Sequence, residues 1–445
     1  MTDLIPSFGG LAFTLVAFIA ALSVIVAVHE YGHYLIGRLS GIHAEVFSLG
    51  FGPVLATRED RRGTRWQIAA LPFGGYVQFL GDSNAASGRD SDTMAEMDPQ
   101  TRRHTMHGAP LWARAATVAA GPVFNFVLSV LLFAAVILAR GTPETPPTIG
   151  QLADLPATMD TGALAEGDEI LAIAGRETAE MADLYAVTDE LPLERTLPWR
   201  IRRDGAERQI DATYPFPPIV GSVQPDTAAM DVGLQAGDVI LSIDGEPLFA
   251  FRQLREIVSD SDGRPLLLEV WRAGETLDFT LVPRQRDIPV QDGGFETRWL
   301  IGMTGALVFE PATRLPGPVE AFGGGVTQTW STVSLSLSGL SHMVAGSISS
   351  CNISGPIGIA EVSGAAASQG LGNFVWFIAV LSAAVGLLNL FPVPVLDGGH
   401  LVFHAYEAIA RRPPPERATR ALMTVGVALV IALMIFALGN DLLCP

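Results

Sequence analysis

The sequence predicts a polytopic α-helical membrane protein with a β-rich segment outside the bilayer. Three observations predict it: four long apolar stretches, an arginine distribution that alternates between the segments joining them, and an internal repeat of turn-and-strand character in the longest joining segment.

Of 445 residues, 49% are hydrophobic and 17% charged, a balance set by apolar stretches at 11–28, 115–138, 374–391 and 421–438. Each is close to the ~20 residues that cross ~30 Å of hydrocarbon as a helix. They contain few charges and lack an amphipathic period, which separates them from surface helices of a soluble enzyme. No basic residue precedes the first stretch, only Asp3, so it lacks the charged start of a cleaved signal and reads as a retained anchor.

The chain has no lysine, so all 28 basic residues are arginine, which excludes a Ser–Lys protease dyad and a P-loop lysine. Eight arginines lie between Arg38 and Arg103, and four more between Arg411 and Arg420. Arginine-rich joining segments stay in the cytoplasm, so both chain ends and the segment 141–315 are expected outside it. That segment carries 30 acidic and 14 basic residues, or −16 of the total −18, and the excess suggests solubility rather than a partner. Two cysteines cannot build a disulfide framework or a zinc ribbon.

The external segment repeats itself at an offset of 70 residues. Ala163-Leu164-Ala165-Glu166-Gly167-Asp168-Glu169-Ile170-Leu171-Ala172-Ile173-Ala174-Gly175 recurs as Gly233-Leu234-Gln235-Ala236-Gly237-Asp238-Val239-Ile240-Leu241-Ser242-Ile243-Asp244-Gly245, and an Arg-x-Gly turn follows each copy, at Arg203 and Arg272. A Gly-Asp turn followed by alternating apolar residues is a strand after a tight bend. The pattern resembles PDZ domains, and the resemblance implies two of them in tandem, at 143–216 and 217–288, each able to bind extended peptide at a sheet edge. A connector at 289–372 follows, with a helix expected along the membrane surface over 327–348. In the cytoplasmic loop 41–110, β-prone runs flank Gly74-Gly75 and suggest a hairpin or sheet against the bilayer, while 81–100 is polar. The remaining pieces are the first span at 1–40, the second at 111–140, the third at 373–410 and the fourth at 417–440.

The chemistry concentrates at the end of the first span. His29-Glu30-Tyr31-Gly32-His33 is an H-E-x-x-H sequence, and on a helix both imidazoles share a face and can grip one metal, with Glu30 beside it. Ionisable groups in an apolar span cost ~2.5–3.5 kcal/mol each, so three together call for a partner such as a metal. At 1.5 Å per residue His29 lies ~27 Å along a span that starts at residue 11, towards the cytoplasmic side. A catalytic metal of this kind needs a third protein ligand and an open position. Asp397 is the leading candidate, in Asn389-Leu390-Phe391-Pro392-Val393-Pro394-Val395-Leu396-Asp397-Gly398-Gly399-His400, where prolines break the helix at matching depth. His400 and His404 form a rival pair at helical spacing.

Together these motifs resemble the site-2 protease family of intramembrane zinc metalloproteases. H-E-x-x-H lies in the first span, Gly121-Pro122-Val123-Phe124-Asn125 in the second and the N-x-x-P-x-P-x-L-D-G-G-H run in the third. Tandem PDZ modules, a G-G-Y-V loop and Ser354-Gly355-Pro356-Ile357-Gly358-Ile359 extend the likeness over nearly the whole chain. The resemblance implies one zinc ion held by His29, His33 and Asp397, with Glu30 as general base and acid. It also implies substrate contacts from Asn389, Pro392 and Pro394 and from the strand Gly74, Gly75, Tyr76 and Val77, which pairs with unwound substrate. Asn389 has a plainer reading too, as the cap of the broken helix.

By the same resemblance the substrate is a single-span membrane protein, an anti-sigma factor pre-cut by a site-1-type protease, in a bacterial inner membrane; no nucleic acid is implied. The alternative is a catalytically silent membrane PDZ adaptor with structural zinc, which would not need Glu30. A transporter would need ligands on several spans. Ser338 and His342 sit in a stretch too polar to span, which disfavours a rhomboid-like site, and aspartyl proteolysis needs two membrane aspartates where only Asp397 qualifies. Cys351 and Cys444, both expected outside, read as two unrelated thiols, although a bond between them would tie the connector to the chain terminus.

Overall fold

The computed structural model describes residues 8–82, 97–159, 161–224, 227–289, 294–349, 351 and 353–443. The chain divides into two compact units, one of Met1–Val136, Pro318–Leu340 and Ile353–Cys444, the other built mainly of Ile137–Gly317 with Ser341–Asn352.

Among the described residues, four helices are long and apolar enough to cross a membrane: Gly10–Leu39, Leu111–Arg140, Leu371–Asn389 and Glu416–Leu443. They are the spans expected from the sequence, and they belong to helices α1 (Phe8–Leu39), α2 (Leu111–Arg140), α5 (Leu371–Asn389) and α7 (Glu416–Leu443). Their outward faces leave Leu11, Val16, Leu131, Val425 and Ile435 exposed, the arrangement of side chains solvated by lipid. Gly32 lets α1 and α2 touch, since a methyl there would stand 2.6 Å from the carbonyl oxygen of Ala120.

Three helices were not anticipated as such. The third span ends at Asn389 rather than 410; Leu390–Leu396 is non-helical, and a separate helix α6 runs Asp397–Ala410. Pro392 and Pro394 cannot continue a helix, which is the reason for the break. Helix α3 spans Pro318–Val344, starting nine residues before the surface helix expected at 327. Proline at its first turn and Glu320 beside it favour the earlier start. The three glycines Gly323, Gly324 and Gly325 stay helical because Gly325 packs on α2, with the carbonyl of Val130 2.4 Å from where a methyl would be. One turn later Thr329 and Ser129 share a buried hydrogen bond of 3.1 Å. Helix α4 (Pro356–Ser368) packs on α1 and α7. The carboxylate of Asp441 on α7 accepts from the N–H groups of Gly355 at 2.6 Å and Ile357 at 3.0 Å, so the Ser354–Ile359 motif is a clamped helix start.

The loop between the first two spans folds as two long bent strands, β1 (Ala44–Glu59) and β2 (Arg65–Phe79). Residues Val46 to Leu49 of β1 are partnered on one side by Gly75 to Gln78 and on the other by Arg65 to Ile68, while Val54 to Glu59 pair again with Arg65 to Ala69. Four strand segments result, with Gly75–Phe79 on one edge. The turn between the strands is held by Asp60, whose carboxylate accepts from the N–H of Arg62 and Thr64 and from the Trp66 indole. Phe47, Val77 and Phe79 bury themselves against Tyr34, Met106 and Val118, which anchors the sheet to the ends of α1 and α2.

In the second unit the repeat is structural. Strands Arg176–Glu177, Glu169–Ile173, Thr196–Arg203 and Ala206–Thr213 lie in that order with helix Met181–Thr188. Glu246–Pro247, Val239–Ile243, Leu266–Arg272 and Glu275–Leu281 repeat the arrangement with helix Phe251–Ser259. Each Gly-Asp turn buries its aspartate and meets it with the arginine of the later turn: Arg203 grips Asp168 with two bonds of 2.6 Å, and Arg272 grips Asp238 at 2.6 and 2.7 Å. The expected connector supplies strands to both copies. Met303–Gly305 pairs with Val220–Val223 of the second, then Phe309–Pro311 returns to Ile149–Leu152 of the first. The second copy therefore closes inside the first. Cys351 is disulfide-bonded, which corrects its reading as an unattached thiol, and Cys444 lies outside the described residues.

Candidate active site

Helix α1 sets His29 and His33 one turn apart, and the helix start of α6 brings Asp397 to them across 364 residues of chain. The Nε2 atoms of His29 and His33 are 3.1 Å apart, and Asp397 Oδ2 lies 3.2 Å from the first and 3.5 Å from the second. Among the described residues these three form the one group of histidine, cysteine or acidic side chains whose donor atoms converge within 4.8 Å. His33 Nδ1 donates to the backbone carbonyl of Thr117 at 2.8 Å. A carbonyl can only accept, so the proton is on Nδ1 and the Nε2 lone pair points at the cluster.

The donor set fits a zinc ion. Asp397 Oδ2 is packed between the two imidazoles, a carboxylate in a largely buried site whose charge a cation would offset. Gly121 of α2 faces the cluster, and a methyl group there would stand 2.3 Å from His33 Nε2 and 2.7 Å from His29 Cε1. Only glycine leaves that space open. Two neutral imidazoles and one carboxylate are three of the four positions of a catalytic zinc site.

Glu30 lines the same cavity, of about 280 Å³, together with Gly75, Tyr76, Val77 and Asn389. Its carboxylate faces the Val77 backbone N–H, and a methyl on Gly75 would meet Glu30 Cγ at 2.9 Å. Two residues on, the Phe79 N–H ends on Asp82 Oδ2 at 3.0 Å. The edge of the sheet that faces the cavity thus has two of its alternate N–H groups, those of Val77 and Phe79, facing carboxylates. Of the other expected residues, Gly74, Pro392 and Pro394 do not line the cavity. Asn389 donates its side-chain amide to the Val385 carbonyl one turn back at 3.1 Å, which ties it to its own helix. The rival pair His400 and His404 lines the cavity apart from the cluster.

The second span holds roles that motif reading did not assign, although Gly121 and Asn125 stood in its Gly121-Pro122-Val123-Phe124-Asn125 motif. Thr117, Gly121 and Asn125 supply the carbonyl for His33, the open space, and an amide nitrogen 3.2 Å from His29 Nδ1. Their spacing of four was the available signal, since such residues share one helix face. Arg114 on α2 makes paired bonds to Glu407 on α6, 2.9 and 2.6 Å, and holds the Glu407 carboxyl below its ordinary range.

The sequence model of Peptidase family M50 matches residues 17–433. The chain belongs to peptidase family M50. Known proteins match this chain along nearly their full length. The regulator of sigma-E protease RseP of Salmonella typhimurium is 34% identical over 458 residues, covering 96% of this chain and 98% of the relative. Its Escherichia coli counterpart of the same name is 33% identical with the same coverage. A protein of Agrobacterium fabrum whose name includes the words zinc metalloprotease is 34% identical over 443 residues, 99% of each chain. This M50 peptidase is accordingly a multi-pass membrane zinc metalloprotease of the site-2 type, as the motif resemblance implied.

Proposed function

We propose that the protein hydrolyses peptide bonds within the transmembrane segment of single-span membrane proteins, with zinc held by His29, His33 and Asp397 and Glu30 as general base and acid. The observation that carries the reading is the convergence of those three donors beside Glu30 on a helix apolar enough to span, facing the edge of a β-sheet. When bound, zinc supplies Lewis acidity, polarising a carbonyl and acidifying water. Glu30 takes the proton of the attacking water and returns it to the nitrogen of the departing amine. The strand Gly75 to Val77 receives extended substrate by backbone pairing, so the hydrogen bonds lost on unwinding a helix are replaced. Substrate arriving at Val77 takes over the N–H that Glu30 now occupies and frees the carboxylate for the proton transfer.

The two repeated modules of the second unit are PDZ domains by their Gly-Asp turns and strand order, and they face the outside together with both chain ends. The arginine-rich segments support a reading with the sheet and the metal site towards the cytoplasm. A bacterial inner membrane and an anti-sigma factor already cut by a site-1-type protease are the setting we infer, since two relatives are named regulators of sigma-E. The test is co-expression with tagged single-span membrane proteins, comparing wild type with Glu30→Gln. A tagged fragment ending inside the span, present only with wild type, is the expected result; identical fragments from both would refute the reading.

A further inference from the structure

Asn125 is fully buried where α1, α2 and α5 meet. Its backbone carbonyl accepts from Ser382 Oγ of α5 at 2.9 Å, and its side-chain nitrogen lies 3.2 Å from His29 Nδ1. Its Oδ1 is buried without any partner. In this orientation the amide donates and the imidazole must accept, so the His29 proton sits on Nε2. An Nε2–H cannot bind a metal.

The two ends of an asparagine amide, donor and acceptor, exchange places by a half-turn of the group. Were His29 to hold zinc through Nε2, its proton would sit on Nδ1, which then has to donate, and the group within reach is Asn125. We infer that Asn125 is the positioning residue of His29: its Oδ1 accepts the Nδ1 proton in the zinc-loaded enzyme and holds the ring with its Nε2 lone pair towards His33 and Asp397. The Thr117 carbonyl does the same for His33, and both contacts come from one face of α2. The carbonyl can serve only one tautomer; the amide can serve both, so His29 is the ligand whose ring adapts when metal enters. Partners of this kind beyond the ligands orient imidazoles and raise their basicity.

The inference rests on His29 being a ligand, and the experiment separates the two. Zinc affinity of the full-length protein in detergent is measured by competition with a chelator, for wild type, His29→Ala, Asn125→Leu and Asn125→Asp. Leucine and aspartate both match the shape of asparagine; aspartate keeps an acceptor and leucine keeps none. Asn125→Leu is expected to weaken zinc binding about 10–100-fold, with Asn125→Asp within about threefold of wild type. Should Asn125→Leu not accumulate in membranes, Asn125→Ala reads the same loss. Wild-type affinity without an acceptor, or equal loss in Asn125→Asp, would overturn the positioning role. Undiminished affinity in His29→Ala would instead overturn the ligand assignment beneath it.

Discussion

Arg114 and Glu407 grip each other through two hydrogen bonds, 2.9 and 2.6 Å, although 293 residues separate them. Arg114 stands at the start of the second span and Glu407 ten residues along the helix that begins with Asp397. The pair therefore fixes the helix that delivers the carboxylate of the metal site.

Glu407→Gln should retain the fold while weakening zinc retention and cleavage, because one charged hydrogen-bond pair of about 1.5–3 kcal/mol is lost. Exchanging the two residues, Arg114→Glu with Glu407→Arg, should recover part of both. Because Arg114 lowers the Glu407 carboxyl, the contribution is present above the unfolded carboxyl value and fades as pH falls through the folded one. Thermal melting of both variants at pH 7 checks this, and no rescue by the exchange counts against a paired role.

Glu30→Gln should keep zinc and lose cleavage, since the amide packs like the carboxylate but cannot take a proton. His29→Ala, His33→Ala and Asp397→Ala should lose both. Metal content by elemental analysis alongside turnover distinguishes the two classes; full zinc in Asp397→Ala would point to His400 instead.

Tyr76→Pro should cut cleavage of a helical substrate at least about tenfold with zinc retained, because proline removes the N–H that faces Ser48 across the sheet and disturbs the edge strand that receives substrate. A glycine-rich substrate span, already unwound, should suffer less. Val77→Pro is the poorer probe: it also removes the N–H that meets Glu30. Equal cleavage of both substrates by Tyr76→Pro and wild type would argue against backbone pairing.

Asp168→Asn and Asp238→Asn should each loosen their own module. Both aspartates are buried and gripped by an arginine, and unpairing such a charge costs about 3–5 kcal/mol. Limited proteolysis of the membrane-embedded protein should then cut near the altered copy first. Unchanged cleavage kinetics in both variants would show that the repeated pair carries little of the stability.

Much of the site was legible because its logic is local. Four apolar runs declare spans by length alone, and His29, Glu30 and His33 share a helix face through a spacing of one turn. Asp397 could be nominated by motif and depth, and the Gly-Asp repeat by its own recurrence. What the tertiary structure decided depends on contacts between distant segments, which no local pattern encodes. Pairing of Val46 to Leu49 with two different stretches of β2 needs the bends in both strands. Closure of the second module inside the first needs strands 80 or more residues apart. Gly121 and Asn125 stand in a motif without an assigned task, and Thr117 and Arg114 carry no signal of their own, until α2 lies against α1 and α6 arrives. A residue's type is fixed along the chain, but the hydrogen-bond partner it finds when buried is set by the neighbour that folding places beside it.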